Sequence, residues 1–513
     1  MARRYRDSEE NLGFSKDKSM IFIHHKPSNN KSASPLELPR HVHVIGICGV
    51  ATSALAIAFH NKGIKVTGSD KGFFPPISTE LEKHNISFYA GWHVEKMIES
   101  GLPDIVIVGT ASGSQNPETT YADANNIKKY SYPEVIGEYF AKENSIICAG
   151  TWGKTSSSAL LSHIFEKANL NPSYMFGGVS LSHDSSARLT ESNWSIFEGD
   201  EYKSSPTDLR AKFFHYKPTH LLLSAVSWDH ADLYPTETEY FEAFRKLMAI
   251  IPKRGFVVAC ADNDGVKKIL DGFDGKTVLY GNNANSKMSG TADLDYSYDK
   301  IIETDKGISF TIYHKGKSFE IISPLLGAYQ AQNITGCFAM AHEHNISTDS
   351  ILSAIADFSG LKRRLERRLD GKLSGNGITI FDDIAHSPEK ASATIGTLRN
   401  IYKGKIIVIF EPNSGGRSRE SAPKYSNAFN KADIVIIPRL TKLKVSTDKS
   451  DQPMEGDELA MTIKKTHSDT IYIDHDIKLV EYLISTSKKG DVIAFLGSHG
   501  FRGMIEELIE RIK

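Results

Sequence analysis

The residues best suited to chemistry in this chain form one short run, Ala149-Gly150-Thr151-Trp152-Gly153-Lys154-Thr155. It follows the apolar stretch 145–148 and precedes SSSALLSHIFEKA (156–168), whose apolar residues recur at helical spacing. The order is therefore strand, glycine-bearing turn, helix. A turn of this kind aims successive backbone N–H groups, and the positive end of the helix dipole, at one small volume that suits phosphate. Lys154 would reach the outer phosphates and the Thr155 hydroxyl would bind magnesium. Read as GxxGK[ST], the stretch is a shortened form of the P-loop pattern GxxxxGK[ST].

Acidic and imidazole groups follow two further strand candidates, WSIFEGDE (194–201) and THLLLSAVSWDH (219–230). Ligands of parallel sheets gather at the carboxyl ends of strands, so Glu198, Asp200, Asp229 and His230 are expected beside Lys154 and Thr155. Glu198 and His230 are candidate magnesium ligands or ligand orienters.

The elements that must position this centre extend to both sides of it. HVHVIGICGVATSALAIAF (41–59) reads as strand, glycine turn and helix. Gly46 and Gly49 would let the backbone approach a diphosphate, and the next strand, IKVTGSD (64–70), ends in Ser69-Asp70, where such folds place an acidic group near a ribose. With the candidates at 86–91 and 104–110, residues 41–143 read as a small parallel α/β domain after a mobile extension over 1–40. The middle domain, 144–360, adds strand-like segments at 255–260, 277–280 and 308–323, and then a helical segment (325–345) carrying Gln330 and Asn333. FSGLKRRLERR (358–368) is a dense basic patch, read in isolation as a solvated helix face. From 361 onward, ITIFDDIAHSP, KIIVIFEPNSGG, ADIVIIP and DVIAFLGSHGF alternate with helical segments and suggest a third, doubly wound α/β unit.

Length alone, 513 residues, calls for about three domains. With 61 basic and 62 acidic residues the formal charge is −1, so no global field favours nucleic acid or an anionic membrane. No run approaches a bilayer-spanning length, and the four dispersed cysteines read as buried free thiols. These features suggest a cytoplasmic protein.

Together the motifs resemble the Mur ligase family, the ATP-dependent amide-forming enzymes of peptidoglycan synthesis, from about residue 41 to the C-terminus. The resemblance rests on GICG (46–49), GSDKGFFPPISTELE (68–82), GDEYKSSPTDLRAKFFHYKP (199–218), WDHADLY (228–234), GLKRRLE (360–366) and FEPNS (410–414). It implies three domains: a Rossmann-like UDP-sugar domain, a P-loop-like ATP domain and a doubly wound amine-substrate domain. It also implies an enzyme that uses ATP and Mg2+ to join UDP-N-acetylmuramate to a murein tripeptide in recycling. The alternatives are L-alanine as the amine and, from another class, a catalytically silent UDP-sugar sensor. A monomer or weak dimer is expected.

Carried over position by position, the resemblance places Gly46, Gly49, Ser53, Ser69, Asp70 and Asn116 at the UDP-sugar. Gly150, Thr151, Gly153, Lys154, Thr155, Asn333, Arg363, Arg364 and Asp383 go to ATP, and Thr155, Glu198 and His230 to the metal. His386 falls near the reacting centre, with Lys154, Glu198 and His230. Asn413 stands where the family pattern has arginine. It joins Ser414, Arg417 and Arg419 as the amine-side set, the two arginines being candidate replacements for the missing charge.

Overall fold

Among the described residues three separate sheets organise the chain, each assembled from strands contiguous in sequence. The computed structural model describes residues 37–73, 77–109, 115–283, 294–373, 375, 377–442 and 453–512. The expected extension over 1–40 lies outside the described residues up to position 36, and the described chain from Pro39 onward belongs to one unit.

The first sheet has five parallel strands in the order 3-2-1-4-5, with His41–Ile45 at its centre between Lys65–Asp70 and Ile105–Val108. This order places a switch point beside the central strand, so its carboxyl end opens as a crevice. Helix Val50–Asn61 covers one face and buries Leu55, Ala56, Ile57 and Phe59. The fifth strand, Lys128–Ser131, is polar and carries no periodic signal. It forms at the sheet edge, where one side needs no apolar cover.

The middle sheet has ten strands. Asn144–Ala149 is flanked in parallel by Trp194–Gly199 and His220–Leu223, and its residues 145–149 are buried, as a central strand covered on both faces requires. The segment 308–323 is a hairpin, Gly307–His314 against Lys317–Ser323, that extends the same sheet. Helix Lys154–Lys167 packs Leu160, Leu161, Ile164 and Phe165 into one core with Ile146, Ile196 and Leu222. At about 1.5–3 kcal/mol for each large apolar side chain buried, this core fixes where the helix starts. The loop before it is held accordingly.

The third sheet runs Glu366–Leu369, Thr379–Asp383, Val492–Gly497, Ile406–Glu411, Ile434–Pro438 and Thr470–Ile473, parallel apart from the first edge strand. The basic patch 358–368 is thus not a helix face. It is a turn with left-handed residues at Arg363 and Leu365 that runs into an edge strand. All four cysteines are buried. Among the described residues no helix is long and apolar enough to cross a membrane.

Candidate active site

The phosphate loop has the geometry its glycines anticipate. Gly150 and Gly153 adopt φ of 135° and 83°. A Cβ on Gly150 would meet Ser224 Oγ at 2.6 Å, and one on Gly153 would meet Asn333 Oδ1 at 2.6 Å. Neither position therefore admits a side chain. Thr151 is tied down: its hydroxyl donates to Ser227 O at 2.9 Å and lies 3.0 Å from the Tyr240 hydroxyl. The helix begins at Lys154, so its free N–H groups face the loop.

Lys154 curls back over the loop. Its ammonium donates to Gly150 O at 2.7 Å and to Glu201 Oε1 at 3.1 Å. Burial, the largest single influence, works against its charge, but Glu201, Glu198 and Asp200 together outweigh it and hold the lysine above its ordinary range. Thr155 Oγ1 donates to Glu198 Oε1 at 2.8 Å, and Gly177 N–H holds the other Glu198 oxygen at 2.5 Å. His230, left-handed at φ 55°, brings Nε2 to 3.4 Å from Glu201 Oε1. The hydrogen bond to Glu201 and the nearby Asp229 raise its pKa.

Glu201 is the residue that sequence reasoning overlooked. It is 1% exposed and joins Lys154, His230 and the Tyr240 hydroxyl. Its Oε2 lies 2.9 Å from the Lys154 ammonium yet accepts no aligned hydrogen bond. A hydroxyl, two carboxylates with an unsatisfied buried oxygen, and an imidazole are donors that a hard divalent cation accepts, so these residues fit Mg2+. Asp200 instead pairs with Lys212 at 2.5 Å. Asp229 is exposed and accepts from the His230 backbone at 2.7 Å.

In the first domain a cavity of about 380 Å3 is lined by Gly46, Gly49, Thr52, Asp70, Trp92 and Tyr132. Asp70 Oδ2 accepts from Cys48 N–H at 2.8 Å, which shapes the turn. The other three sugar-site candidates face elsewhere. Ser53 bonds within its own helix to Val50 O, and Ser69 donates to buried Glu118 at 2.5 Å. Asn116 caps the helix Pro117–Ala124 by accepting from Glu118 and Thr119 N–H. A smaller cavity of about 90 Å3, lined by Ala51, Tyr132, Glu198, Asp200 and Tyr216, connects this region to the middle domain.

The third-domain candidates separate into two groups. His386 lies beside Lys390, whose charge interacts with Lys154 and Asp229 of the middle domain. Its Nδ1 lies 2.7 Å from Ile384 O and its Nε2 3.5 Å from the Lys390 ammonium. Burial, followed by Lys390, lowers the His386 pKa. Lys390 is exposed; desolvation and then Arg364 lower its pKa, Asp229 raises it and Lys154 lowers it further. Arg364 is exposed on the same side.

The remaining nominated groups are occupied by the fold. Arg363 donates to the backbone oxygens of Gly497, Ser498 and His499 and pairs with Asp382. Asp383 accepts from the backbones of Leu365 and Ala385 at 2.6 and 2.8 Å. Arg417 is 2% exposed and donates to Met454 O and Thr441 O. Arg419 pairs with Glu458 on the surface, and Asn413 Oδ1 accepts from Gly416 N–H at 2.9 Å beside the exposed Ser414. In this arrangement Arg417, the candidate for the charge absent at Asn413, uses its Nε and Nη1 donors inside the domain.

Comparison with known proteins matches this architecture domain by domain. Residues 41–144 match the model described as "Mur ligase family, catalytic domain", residues 148–341 the Mur ligase middle domain, and residues 363–499 "Mur ligase, glutamate ligase domain". The chain is 28% identical over 484 residues to the UDP-N-acetylmuramate–L-alanyl-γ-D-glutamyl-meso-2,6-diaminoheptandioate ligase of Haemophilus influenzae, covering 92% of this chain and 99% of that protein. It is likewise 28% identical over 470 residues to the UDP-N-acetylmuramate–L-alanine ligase of Mesorhizobium japonicum, covering 89% and 94%. The crystal structure of a UDP-N-acetylmuramate–alanine ligase from Thermotoga maritima superposes with a TM-score of 0.73 at 20% identity, over 92% of this chain and 98% of that one. A murein peptide ligase from Psychrobacter arcticus gives 0.64 at 23% identity, with the same coverage.

Proposed function

The chain belongs to the Mur ligase family of ATP-dependent, ADP-forming amide ligases, and from that premise we propose that it joins the lactyl carboxylate of UDP-N-acetylmuramate to the amine of a murein tripeptide. The observation that carries the reaction class is the convergence of Lys154, Thr155, Glu198, Glu201 and His230 at the carboxyl ends of three adjacent parallel strands. The choice of tripeptide rests on the near-complete coverage of the Haemophilus relative and on the long segment after Glu201. There Lys212 pairs with Asp200 beside Tyr132, which also lines the first-domain cavity.

A carboxylate does not react with an amine at neutral pH, so it must first be activated as an acyl phosphate. Mg2+, held by Thr155, Glu198, Glu201 and His230, would supply charge neutralisation. Lys154 neutralises the transferring phosphoryl group, and the N-terminus of its helix receives the phosphates. Asn333, against Gly153, would be a nucleotide-side contact of the middle domain, and the exposed Arg364 a cation contributed by the third. His386, held neutral at pH 7 by burial, can accept the proton lost when the amine attacks.

L-Alanine is the second reading, favoured by one observation: Asn413 and the buried Arg417 leave the amine side short of the positive charge that the several carboxylates of the tripeptide would require, whereas L-alanine brings one. Purified protein with UDP-N-acetylmuramate, ATP and Mg2+ is offered either the tripeptide or L-alanine, and the product mass is recorded. The tripeptide adduct as the main product supports the proposal, whereas the L-alanine adduct alone overturns it in favour of the second reading. No amide product from either would leave a UDP-sugar sensor.

A further inference from the structure

A cavity of about 680 Å3 lies away from the phosphate loop, between Asn61 and Lys62 of the first domain and Glu166, Tyr174, His183 and Arg188 of the middle domain. The helix that begins at Lys154 ends beside it. His163 and Glu166 are three residues apart near that end, and so share one face of the helix. His183 arrives from the loop between the strands Ser173–Met175 and Ala187–Arg188. One ligand atom from each of the three residues lies within 4.8 Å of the other two.

We propose that His163, Glu166 and His183 form a binding site for a borderline divalent transition-metal ion such as Zn2+, separate from the phosphate loop. The strongest observation is His183 itself. Its side chain is 0% exposed, yet Nε2 has no hydrogen-bond partner and faces Glu166 Oε2 at 3.4 Å. Its Nδ1 is held 2.8 Å from Ser180 Oγ, and the ring edges meet Tyr174 and Phe176, so the unpartnered nitrogen is fixed in direction.

The other ligands are oriented in the manner metal sites use. Asp357 Oδ1 lies 2.5 Å from His163 Nε2, a carboxylate holding the imidazole from outside. Glu166 divides its oxygens, giving Oε1 to Arg188 at 2.5 Å and turning Oε2 to His183. Two imidazoles and one carboxylate suit Zn2+ better than Mg2+, and the adjoining cavity offers an entry path and room for water as a fourth ligand. Arg188 and Lys167 already offset Glu166 and Asp357, so the affinity should be micromolar rather than that of a thiolate site.

The test uses full-length, chelator-treated protein with saturating Mg2+, and Zn2+ titrated in competition with a chromophoric chelator. The expected result is one Zn2+ per chain at micromolar concentration. His183→Ala and Glu166→Gln should each weaken binding by about tenfold or more, and bound Co2+ should show d–d absorption that both variants lose. Glu166→Gln preserves shape and decides the question if His183→Ala fails to fold. No uptake at micromolar Zn2+ would overturn the proposal, and so would stoichiometric uptake that a folded Glu166→Gln leaves unchanged.

Discussion

The phosphate-loop cleft and the third domain both present basic residues nominated by sequence, but the two regions spend their charge differently. In the cleft, Lys154 meets Glu201 and its own loop carbonyl, partners that a nucleotide and metal can replace. In the third domain, Arg363 and Arg417 give their donors to backbone carbonyls of the same domain. A guanidinium has five donors in a fixed fork, well suited to tying loops together. An arginine-rich motif is therefore weaker evidence for an anion site than a lysine preceded by glycines whose backbone admits no side chain.

The largest expected effect sharpens this contrast. Lys154→Ala should lower kcat for amide formation by at least about a thousandfold, because it removes the main cation at the transferring phosphoryl group. Its circular dichroism should stay close to wild type, although thermal unfolding should shift downward because buried Glu201 keeps only His230 and Tyr240 as partners. Arg417→Ala should do the reverse. Loss of a buried group that satisfies Met454 O and Thr441 O should cost about 2–4 kcal/mol in denaturant unfolding, with kcat of the folded enzyme changed only a few-fold. A stable but inactive Arg417→Ala protein would break the comparison and return Arg417 to the substrate site.

The smallest effect concerns protons. Glu201 raises His230 above the ordinary histidine pKa of 6.5, whereas burial and Lys390 lower His386 below it. In metal- and nucleotide-free protein, histidine NMR titrations should place the His230 midpoint above that of His386. The linkage signs are opposite. The stability supplied by the His230 interaction is present below pH 6.5 and lost as pH rises through its folded pKa. That supplied by neutral His386 is present above pH 6.5 and lost as pH falls through its folded pKa. A reversed order of midpoints would contradict the assigned surroundings.

Much of this was legible in the chain because periodicity and glycine spacing report directly on backbone form. The apolar run 145–148 lies in the strand Asn144–Ala149, the turn glycines Gly150 and Gly153 are left-handed, and the helix read over 156–168 begins two residues earlier, at Lys154. Glu201 escaped notice because the strand ends at Gly199, and beyond it no alternation indicates which of two acidic residues points inward. Lys390 lies in the first turn of the helix Pro388–Ile401, and its approach to Lys154 and Asp229 depends on how the domains meet. The basic run at 358–368 reads as a helix face by charge, but Gly360 and the left-handed Arg363 and Leu365 make it a turn, which composition does not encode. Trp152 is 52% exposed in the phosphate loop and is tied to it through its backbone carbonyl, which accepts from Ser224 Oγ.

The most direct measurement of the central claim is phosphate release by the wild-type protein in ATP and Mg2+, with UDP-N-acetylmuramate and the amine added singly and together. The ligase account predicts sustained release only with both present, at one phosphate per amide formed. Sustained release without UDP-N-acetylmuramate, or none with both substrates and either amine, would contradict it.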